Sequence, residues 1–226
     1  LAESKRGYFE YAGAAGGFMD SLGYPFCRGR VLQNLERDTG QYESAIPIFW
    51  ASGAALVIRS DASHEMGGFA TDYFAHQEEI DLAWRLLLRN YKIMSCPQSV
   101  VYHVGGGTLS YSSPEKIYLN FRNNLITLFK YLPKPDFIPV VSLRWIFDGF
   151  AGLRFMAKGQ FANAFAIIRA HYYIYGHIRS ILQKRKDLGE EFTRQPLAKL
   201  PGVYQGSIIM DYYLRWKRKF SDLFPS

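Results

Sequence analysis

The sequence predicts an α/β protein in which short strands come first and helices follow. The first hundred residues are dense in glycine and turn-forming residues around short apolar runs. The second half instead carries long stretches with apolar residues at helical spacing. Among the 226 residues, 48% are hydrophobic and 21% are charged, which is typical of a folded globular protein and not of a disordered chain.

The strands are predicted in three regions of the first half. Residues 1–44 show no sustained period and predict loops with short strands. Residues 46–60, IPIFWASGAALVIRS, predict a buried strand around a Ser-Gly-Ala turn. Residues 92–106 predict two short strands around Pro97, which end at a run of three glycines. The core candidates of the second region are Ile46, Ile48, Leu56, Val57 and Ile58.

Five helices are predicted. Residues 63–69 favour a short helix that ends at Gly67 and Gly68. Residues 77–90 follow the i, i+3, i+4, i+7 rule, and a third helix has a clear start, with Ser113 as N-cap and Pro114 at the first helical position. It ends at Pro133, and helical patterns follow at 140–158 and 161–186. The tail, residues 187–226, is only loosely patterned.

Charge divides the chain into two parts. Residues 1–136 carry 13 Lys or Arg and 14 Asp or Glu, whereas residues 137–226 carry 14 and 6. We therefore predict one domain over 1–135 and a basic, aromatic helical extension over 136–226. The two cysteines, Cys27 and Cys96, form no C-x-x-C pair, so a reducing compartment is the default.

The ends and the hydropathy of the chain also limit its class. The chain begins at Leu1 without an initiator methionine or a signal sequence, so we expect its natural beginning to lie upstream. No stretch of eighteen consecutive apolar residues occurs, so no transmembrane helix is predicted.

Three carboxylates crowd the start of the helix predicted at 77–90: Glu78, Glu79 and Asp81. One interpretation is that they complement the positive end of the helix dipole on a solvated first turn. The other is that they emerge at the rim of a pocket, because the preceding segment, GGFATDYFAH, is apolar and aromatic. Neighbouring acids in a partly desolvated site raise each other's pKa, which suits one of them for proton transfer.

An ordered set of motifs surrounds these carboxylates and resembles family 2 glycosyltransferases, rhamnosyltransferase-like members especially. The family pattern runs T-G-A, then R and G-G-F with a following F, then E-D-x-D-L-x-x-R, then P, H and T. The resemblance is sharpest over residues 46–132, FRNNLITLFKYL included. The matching residues are Ser52-Gly53-Ala54, Arg59, Gly67-Gly68-Phe69, Phe74, Glu78-Glu79, Asp81-Leu82, Arg85, Pro97, His103 and Thr108.

The resemblance implies the C-terminal, acceptor-side half of a GT-A fold, a Rossmann-like domain with a mixed sheet. Such enzymes invert the anomeric centre, while a carboxylate deprotonates the acceptor hydroxyl. By position Glu79 matches that base, with Glu78 as the alternative, and Asp81 and Arg85 would support the helix start. Trp50, Ser52, Gly53 and Ala54, with Arg85, would bind substrate; Gly53 would allow close approach of the backbone, or forms a plain strand bulge.

The resemblance also implies a divalent metal, Mg²⁺ or Mn²⁺, that neutralises the leaving diphosphate. His103 matches a position that completes the metal or diphosphate site in many such enzymes, although a lone histidine after an apolar strand is usually structural. The sequence contains no D-x-D motif, so we expect the metal and the nucleotide-binding strands to require a half of the enzyme upstream of Leu1. We expect this chain alone to be inactive.

The implied reaction transfers a hexose or deoxyhexose from a UDP-, GDP- or dTDP-linked donor to a glycan or lipid-linked glycan. The competing hypothesis is a non-catalytic module that binds a glycan or a protein partner. The basic extension interleaves Arg and Lys with Trp, Phe and Tyr, which suits either a packing appendage or an interfacial helix on anionic lipid. Nucleic-acid binding is not favoured, since no recognised fold accompanies the charge. We expect a cytoplasmic protein, peripheral at the inner face of the plasma membrane.

Overall fold

A computed structural model describes residues 7–9, 14–101, 113–189 and 195–224. It shows an α/β protein with a five-stranded mixed sheet and a set of helices, which confirms the predicted class. The chain forms two compact units. The first comprises Leu1–Gly68, Leu82–Gly105 and Ala198–Ser226, and the second comprises Phe69–Asp81 and Gly106–Leu197. The division between residues 135 and 136 stays a prediction.

The first unit is built on the sheet. Its strands are β1 (Gly17–Asp20), β2 (Pro25–Cys27), β3 (Arg30–Val31), β4 (Asn34–Leu35) and β5 (Val203–Tyr204), in the order β4-β3-β2-β1-β5. The first four strands form an antiparallel meander, in which Phe18 pairs with Phe26. β5 pairs with β1 in parallel, so the sheet is mixed.

The C-terminal tail belongs to this sheet although its pattern is weak. It forms α7 (Ile208–Tyr213) and α8 (Phe220–Leu223). The Asp20 carboxylate, 0% exposed, accepts hydrogen bonds from the backbone N–H groups of Leu22, Tyr24 and Ile208, and so anchors α7 beside β1. Tail residues also complete the apolar core of this unit, which contains Phe18, Phe26, Val31, Ile48, Ile208, Tyr212, Phe220 and Leu223.

The buried strand predicted over 46–60 is wrong, although the predicted turn at Ser52-Gly53-Ala54 is present. This segment makes two isolated bridges, from Pro47 to Met94 and from Trp50 to Gly17, and a turn follows. Val57, expected in the core, is 98% exposed. Apolar runs of this kind do not distinguish a ladder-forming strand from an extended segment, because the partners lie far away in sequence. Between residues 92 and 101 the only strand-like pairing is the bridge at Met94, and residues 102–106 lie outside the described part.

The helix predictions agree more closely, although the helices predicted at 63–69 and 140–158 both begin earlier in the structure. α1 spans Ser60–Glu65 and α2 spans Glu78–Leu88. The second unit holds α3 (Pro114–Tyr131), α4 (Lys134–Ala157), α5 (Phe161–Gly176) and α6 (Ile178–Asp187). The Ser113 hydroxyl accepts a hydrogen bond from the Lys116 N–H at 3.3 Å, as the predicted N-cap requires. The pattern at 161–186 is interrupted at His177, which caps both α5 and α6.

The core of the second unit lies among these helices. Tyr73 packs there with residues of α3, α5 and α6, namely Leu125, Ile126, Phe129, Ile174 and Ile181. Among the residues that the structure describes, no helix has the length and apolar character needed to cross a bilayer.

Candidate active site

The loop before α2 has an unusual backbone. Phe74, His76 and Gln77 have φ angles of 60°, 68° and 69°, in the region that side-chain-bearing residues rarely adopt. Each such residue costs on the order of 1 kcal/mol or more and persists only where its surroundings enforce it. The three come directly before Glu78 and Glu79, so the strain lies at the point where the carboxylates are presented.

Side chains of α3 hold this loop in place. The amide nitrogen of Asn123 lies 3.0, 2.8 and 2.7 Å from the carbonyl oxygens of Tyr73, Ala75 and His76. This amide has only two hydrogens, so the three acceptors share them. Arg122 also donates to the Tyr73 carbonyl at 3.0 Å. The hydrogen bonds from Arg122 and Asn123 to the backbone therefore offset part of the strain energy of the loop.

Gln77 and Asn124 form a second connection between the loop and α3. The Gln77 amide donates to the carbonyl oxygen of Asn120 at 3.0 Å and accepts from Asn124 at 3.1 Å. Because Gln77 is 7% exposed and Asn124 is 3% exposed, these hydrogen bonds are protected from water. Together with Asn123 they define the path of the chain into α2.

Asp81 is the centre of a buried polar cluster. Its Oδ1 atom accepts from the Lys130 ammonium at 2.6 Å, the Tyr131 hydroxyl at 2.7 Å and the Tyr73 hydroxyl at 2.9 Å. Asp81 and Tyr131 are 0% exposed, and Lys130 is 5% exposed. Burial, followed by the charge of Asp81, raises the pKa of Tyr73 well above its usual value. The Asp81 carboxylate thus connects the first turn of α2 with Tyr73 and with Lys130 and Tyr131 of α3.

Glu79 lies in a different environment two residues earlier. It is partly buried, and desolvation raises the pKa of its carboxyl group from 4.5 to about 7. The charge of Glu78 raises this pKa further, while hydrogen bonds from the backbone of Glu79 and Gln77 lower it. A carboxyl group with a pKa near neutrality is suited to exchange protons at physiological pH.

Two neighbouring polar atoms have no partner among the described residues. They are Oε2 of Glu78 and Nε2 of His76, and both are inaccessible to water. Burial lowers the pKa of His76, Lys116 lowers it further, and Glu78 raises it. Buried polar atoms of this kind are normally satisfied by protein, water or ligand.

The first unit contains the predicted substrate-binding residues. Trp50 is 7% exposed, and its indole N–H donates to the Phe18 carbonyl at 3.0 Å, which gives it a packing role. The Ser52 hydroxyl accepts from the Ala54 N–H at 3.2 Å in a tight turn. Beside Gly53, no described atom lies within 4 Å of where a Cβ would stand, so this backbone is open to a ligand. Substrate binding by these residues stays a prediction.

Arg85 is 6% exposed and secures α2 to the preceding turn. It donates to the carbonyl oxygens of Met66 and Gly68, the latter at 2.8 Å. It therefore supports the packing of α2, and its contact with substrate stays a prediction.

The described residues do not form a metal site. No group of three or more His, Cys, Asp or Glu side chains suited to a metal occurs within them, and His103 lies outside them. Glu78 and Glu79 are two neighbouring carboxylates, but no third side chain suited to a metal joins them among the described residues.

Sequence reasoning missed three residues of this site: His76, Asn123 and Lys130. His76 could have been noticed because it directly precedes the acidic cluster. Asn123 and Lys130 act across 47 and 49 residues of sequence on the loop and on Asp81. Their one local signal is the presence of polar residues on the otherwise apolar side of α3.

Comparison with known proteins gives a partial relationship. No family model matches the sequence, and no solved structure matches it. Over 88 residues the chain is 35% identical to the N-acetylglucosaminyl-diphospho-decaprenol L-rhamnosyltransferase of Mycobacterium tuberculosis, in strain CDC 1551 / Oshkosh and in strain ATCC 25618 / H37Rv alike. The match covers 39% of this chain and spans 28% of the length of these relatives. The chain thus has a glycosyltransferase-like relationship over part of its length.

Proposed function

We propose that this chain is the acceptor-side part of an inverting glycosyltransferase of family 2, with a GT-A fold in the complete protein, and that Glu79 is its catalytic base. One observation carries the proposal: a partly buried carboxyl group with a pKa of about 7, at the start of a helix that a strained loop presents. The partial similarity to rhamnosyltransferases supports the reaction class.

In the proposed reaction, a hydroxyl oxygen of the acceptor attacks C1 of the donor sugar. The new bond forms between this oxygen and C1, while the bond from C1 to the diphosphate oxygen breaks and the diphosphate leaves with the electron pair. The hydroxyl proton passes to Glu79. Because attack and departure occur on opposite faces of the sugar, the anomeric configuration inverts.

The neighbours of Glu79 have separate roles in this proposal. Glu78 raises the pKa of the base through its charge. Asp81 positions α2 through Lys130 and the two tyrosines and does not accept the substrate proton. Ser52, Gly53, Ala54, Trp50 and Arg85 remain the proposed acceptor-binding set.

The donor and the metal require residues beyond this chain. A divalent ion, Mg²⁺ or Mn²⁺, would neutralise the diphosphate charge, with ligands from a nucleotide-binding half and from His103. We propose a UDP-, GDP- or dTDP-linked hexose or deoxyhexose as donor. A lipid-linked glycan is the proposed acceptor, since the relatives are named for a decaprenol-linked substrate. Such an acceptor favours a position at the inner face of the membrane.

The test is Glu79→Gln in the complete gene product. Release of nucleoside diphosphate and formation of glycan product are measured with the three classes of donor and polyprenyl-diphosphate-linked N-acetylglucosamine as acceptor. Loss of a general base lowers kcat by about 100-fold or more, and wild-type activity should rise with pH to a plateau above about 7.

Two variants serve as controls. Glu78→Gln tests whether the neighbouring carboxylate is the base. We expect a smaller loss of kcat than in Glu79→Gln. The apparent pKa of the activity should fall, because the charge of Glu78 raises the pKa of Glu79. Glu43→Gln changes an exposed carboxylate in the first unit and should leave transfer unchanged. If the Glu79→Gln variant transfers sugar as fast as the wild type does, Glu79 is not the catalytic base. Saturable glycan binding without transfer by the wild type supports a non-catalytic binding module instead.

A further inference from the structure

The solvent-exposed sides of α4 and α5 are apolar. On α5, Phe165 is 67% exposed and Tyr172 is 72% exposed, while on α4 Phe150 is 62% exposed. We call these side chains the outer apolar surface. Its members are Ile138, Leu143, Trp145, Ile146, Phe150, Leu153 and Met156 of α4, and Phe161, Phe165, Ile168, Tyr172 and Tyr175 of α5.

The side chains of the outer apolar surface form one stripe on α4 and one on α5, and the two stripes meet. On α5 they recur at spacings of four, three, four and three residues, which places them along one side of the helix. The Trp145 ring of α4 lies 5.2 Å from the Tyr175 ring of α5, so the two stripes join. The result is one continuous surface carried by two packed helices and not a set of scattered apolar residues.

The inner sides of the same helices combine a buried charged cluster with apolar residues. Arg144 and Asp148 of α4 are each 1% exposed and form an ion pair at 3.4 Å, which His171 of α5 joins at 3.1 Å. The buried residues of α5 are Asn163, three alanines, Ile167 and Ile174. A helix on a water-exposed surface normally turns its apolar side inward and its polar side outward. Here the outer side is apolar as well, so it is suited to a medium other than water.

The charges around the outer apolar surface indicate which environment it contacts. Residues 134–187 contain nine Lys or Arg and three Asp. α5 has no carboxylate, and of the two in α4, Asp148 is buried. Arg154, Lys158 and Arg179 are exposed. An apolar surface that carries cations and exposed Trp and Tyr matches the boundary between acyl chains and anionic headgroups. If a second copy of the chain covered this surface, it would bring the same cations to the contact, and their repulsion would disfavour such a dimer.

We propose that the outer apolar surface lies in the interface of a bilayer that contains anionic phospholipid, with α4 and α5 along the plane of the membrane. The absence of a spanning helix among the described residues fits a helical hairpin that rests on one leaflet. This assignment rests on the second unit alone and does not require sugar transfer, so it is tested separately from the proposed activity.

The experiment is flotation of the protein with vesicles of phosphatidylcholine, with and without phosphatidylglycerol. We expect flotation with the anionic vesicles, much less with the neutral ones, and a decrease at high salt. The double variant Phe150→Gln with Phe165→Gln should bind the anionic vesicles at least about tenfold more weakly, because two buried phenyl groups are lost.

A matched control replaces two exposed apolar residues of the first unit, Val57→Gln with Leu214→Gln, which are 98% and 69% exposed. Both double variants leave the net charge unchanged, and circular dichroism checks their folding. The control should float as the wild type does. Equal flotation of both double variants would overturn the assignment, and so would equal binding to neutral and anionic vesicles.

A second measurement, fluorescence quenching, reports the position of a side chain in the bilayer directly and does not depend on a variant that binds more weakly. Brominated acyl chains quench tryptophans that enter the bilayer, so the wild type should lose fluorescence on brominated anionic vesicles, and Trp145→Phe should remove most of that loss. Quenching that is unchanged in Trp145→Phe contradicts the proposed orientation. A dimer that forms without lipid, and that Phe150→Gln with Phe165→Gln dissociates, would show that a second copy covers the surface instead.

Discussion

The raised pKa of Glu79 has a consequence for stability that can be measured without substrate. Its value in the folded chain is about 7, against 4.5 for the ordinary carboxyl group. The folded state therefore binds the proton more tightly than the unfolded state does. Stability from this group is greatest below the unfolded pKa and is lost as the pH rises through the folded pKa. The difference corresponds to about 3 kcal/mol above pH 7.

Glu79→Gln should remove this penalty. Glutamine has nearly the same shape and is neutral at every pH, so it resembles the protonated form that the folded chain favours. We expect the variant to unfold with a free energy about 3 kcal/mol higher than the wild type at about pH 8, and to match it at about pH 4.5. Urea unfolding followed by circular dichroism, at several pH values between these limits, measures the difference.

The comparison between variant and wild type isolates Glu79, because the other titrating groups are common to both. Glu43→Gln, at an exposed carboxylate of the first unit, is the matched control for the loss of one carboxyl group. If the stability curves of Glu79→Gln and the wild type run parallel across the range, Glu79 is an ordinary surface carboxylate. The argument for a base of neutral pKa then fails with it.

Three further substitutions test the buried ion pair, the support of the strained loop and the N-cap of α3. Asp81→Asn leaves the Lys130 ammonium without its counter-charge, so urea unfolding should show a loss of about 3–5 kcal/mol, and a loss below 1 would refute the buried pair. Asn123→Ala frees the strained loop, so kcat of the complete protein should fall more than KM changes; unaltered kcat would refute positioning. Ser113→Ala should cost about 1 kcal/mol in thermal unfolding, and an unchanged midpoint would contradict the cap.

The helices could be predicted because their signals are local. The start of α3 is encoded by the Ser113 cap and Pro114 within a single turn, and its end by Pro133 two residues beyond Tyr131. The start of α2 likewise agrees with the acidic residues in its first turn. The order of these elements and the acidic cluster were therefore available from the sequence.

The sheet and the supports of the candidate site could not be predicted because they depend on distant partners. β1 is completed by β5, and Asp20 accepts the N–H of Ile208 across 188 residues. In residues 46–60 the apolar run predicted a strand, but pairing exists only where Gly17 and Met94 reach it. The sequence gives only a weak local signal for Asn123, a polar residue on the buried side of α3, and its acceptors are backbone carbonyls, which carry no side-chain identity.

The first turn of α2 shows how one helix can hold two carboxylates for different tasks. Asp81 accepts from the Lys130 ammonium and the Tyr131 hydroxyl of α3 and from the Tyr73 hydroxyl, so its charge is compensated and it serves the packing of the helix start. Glu79 has a raised pKa, and among the described residues no cation pairs with it. Keeping such a group partly buried lowers stability, as does the backbone strain before it. Sites that combine both costs are typically retained for chemistry, which is why a reactive role for Glu79 explains this arrangement better than helix capping does.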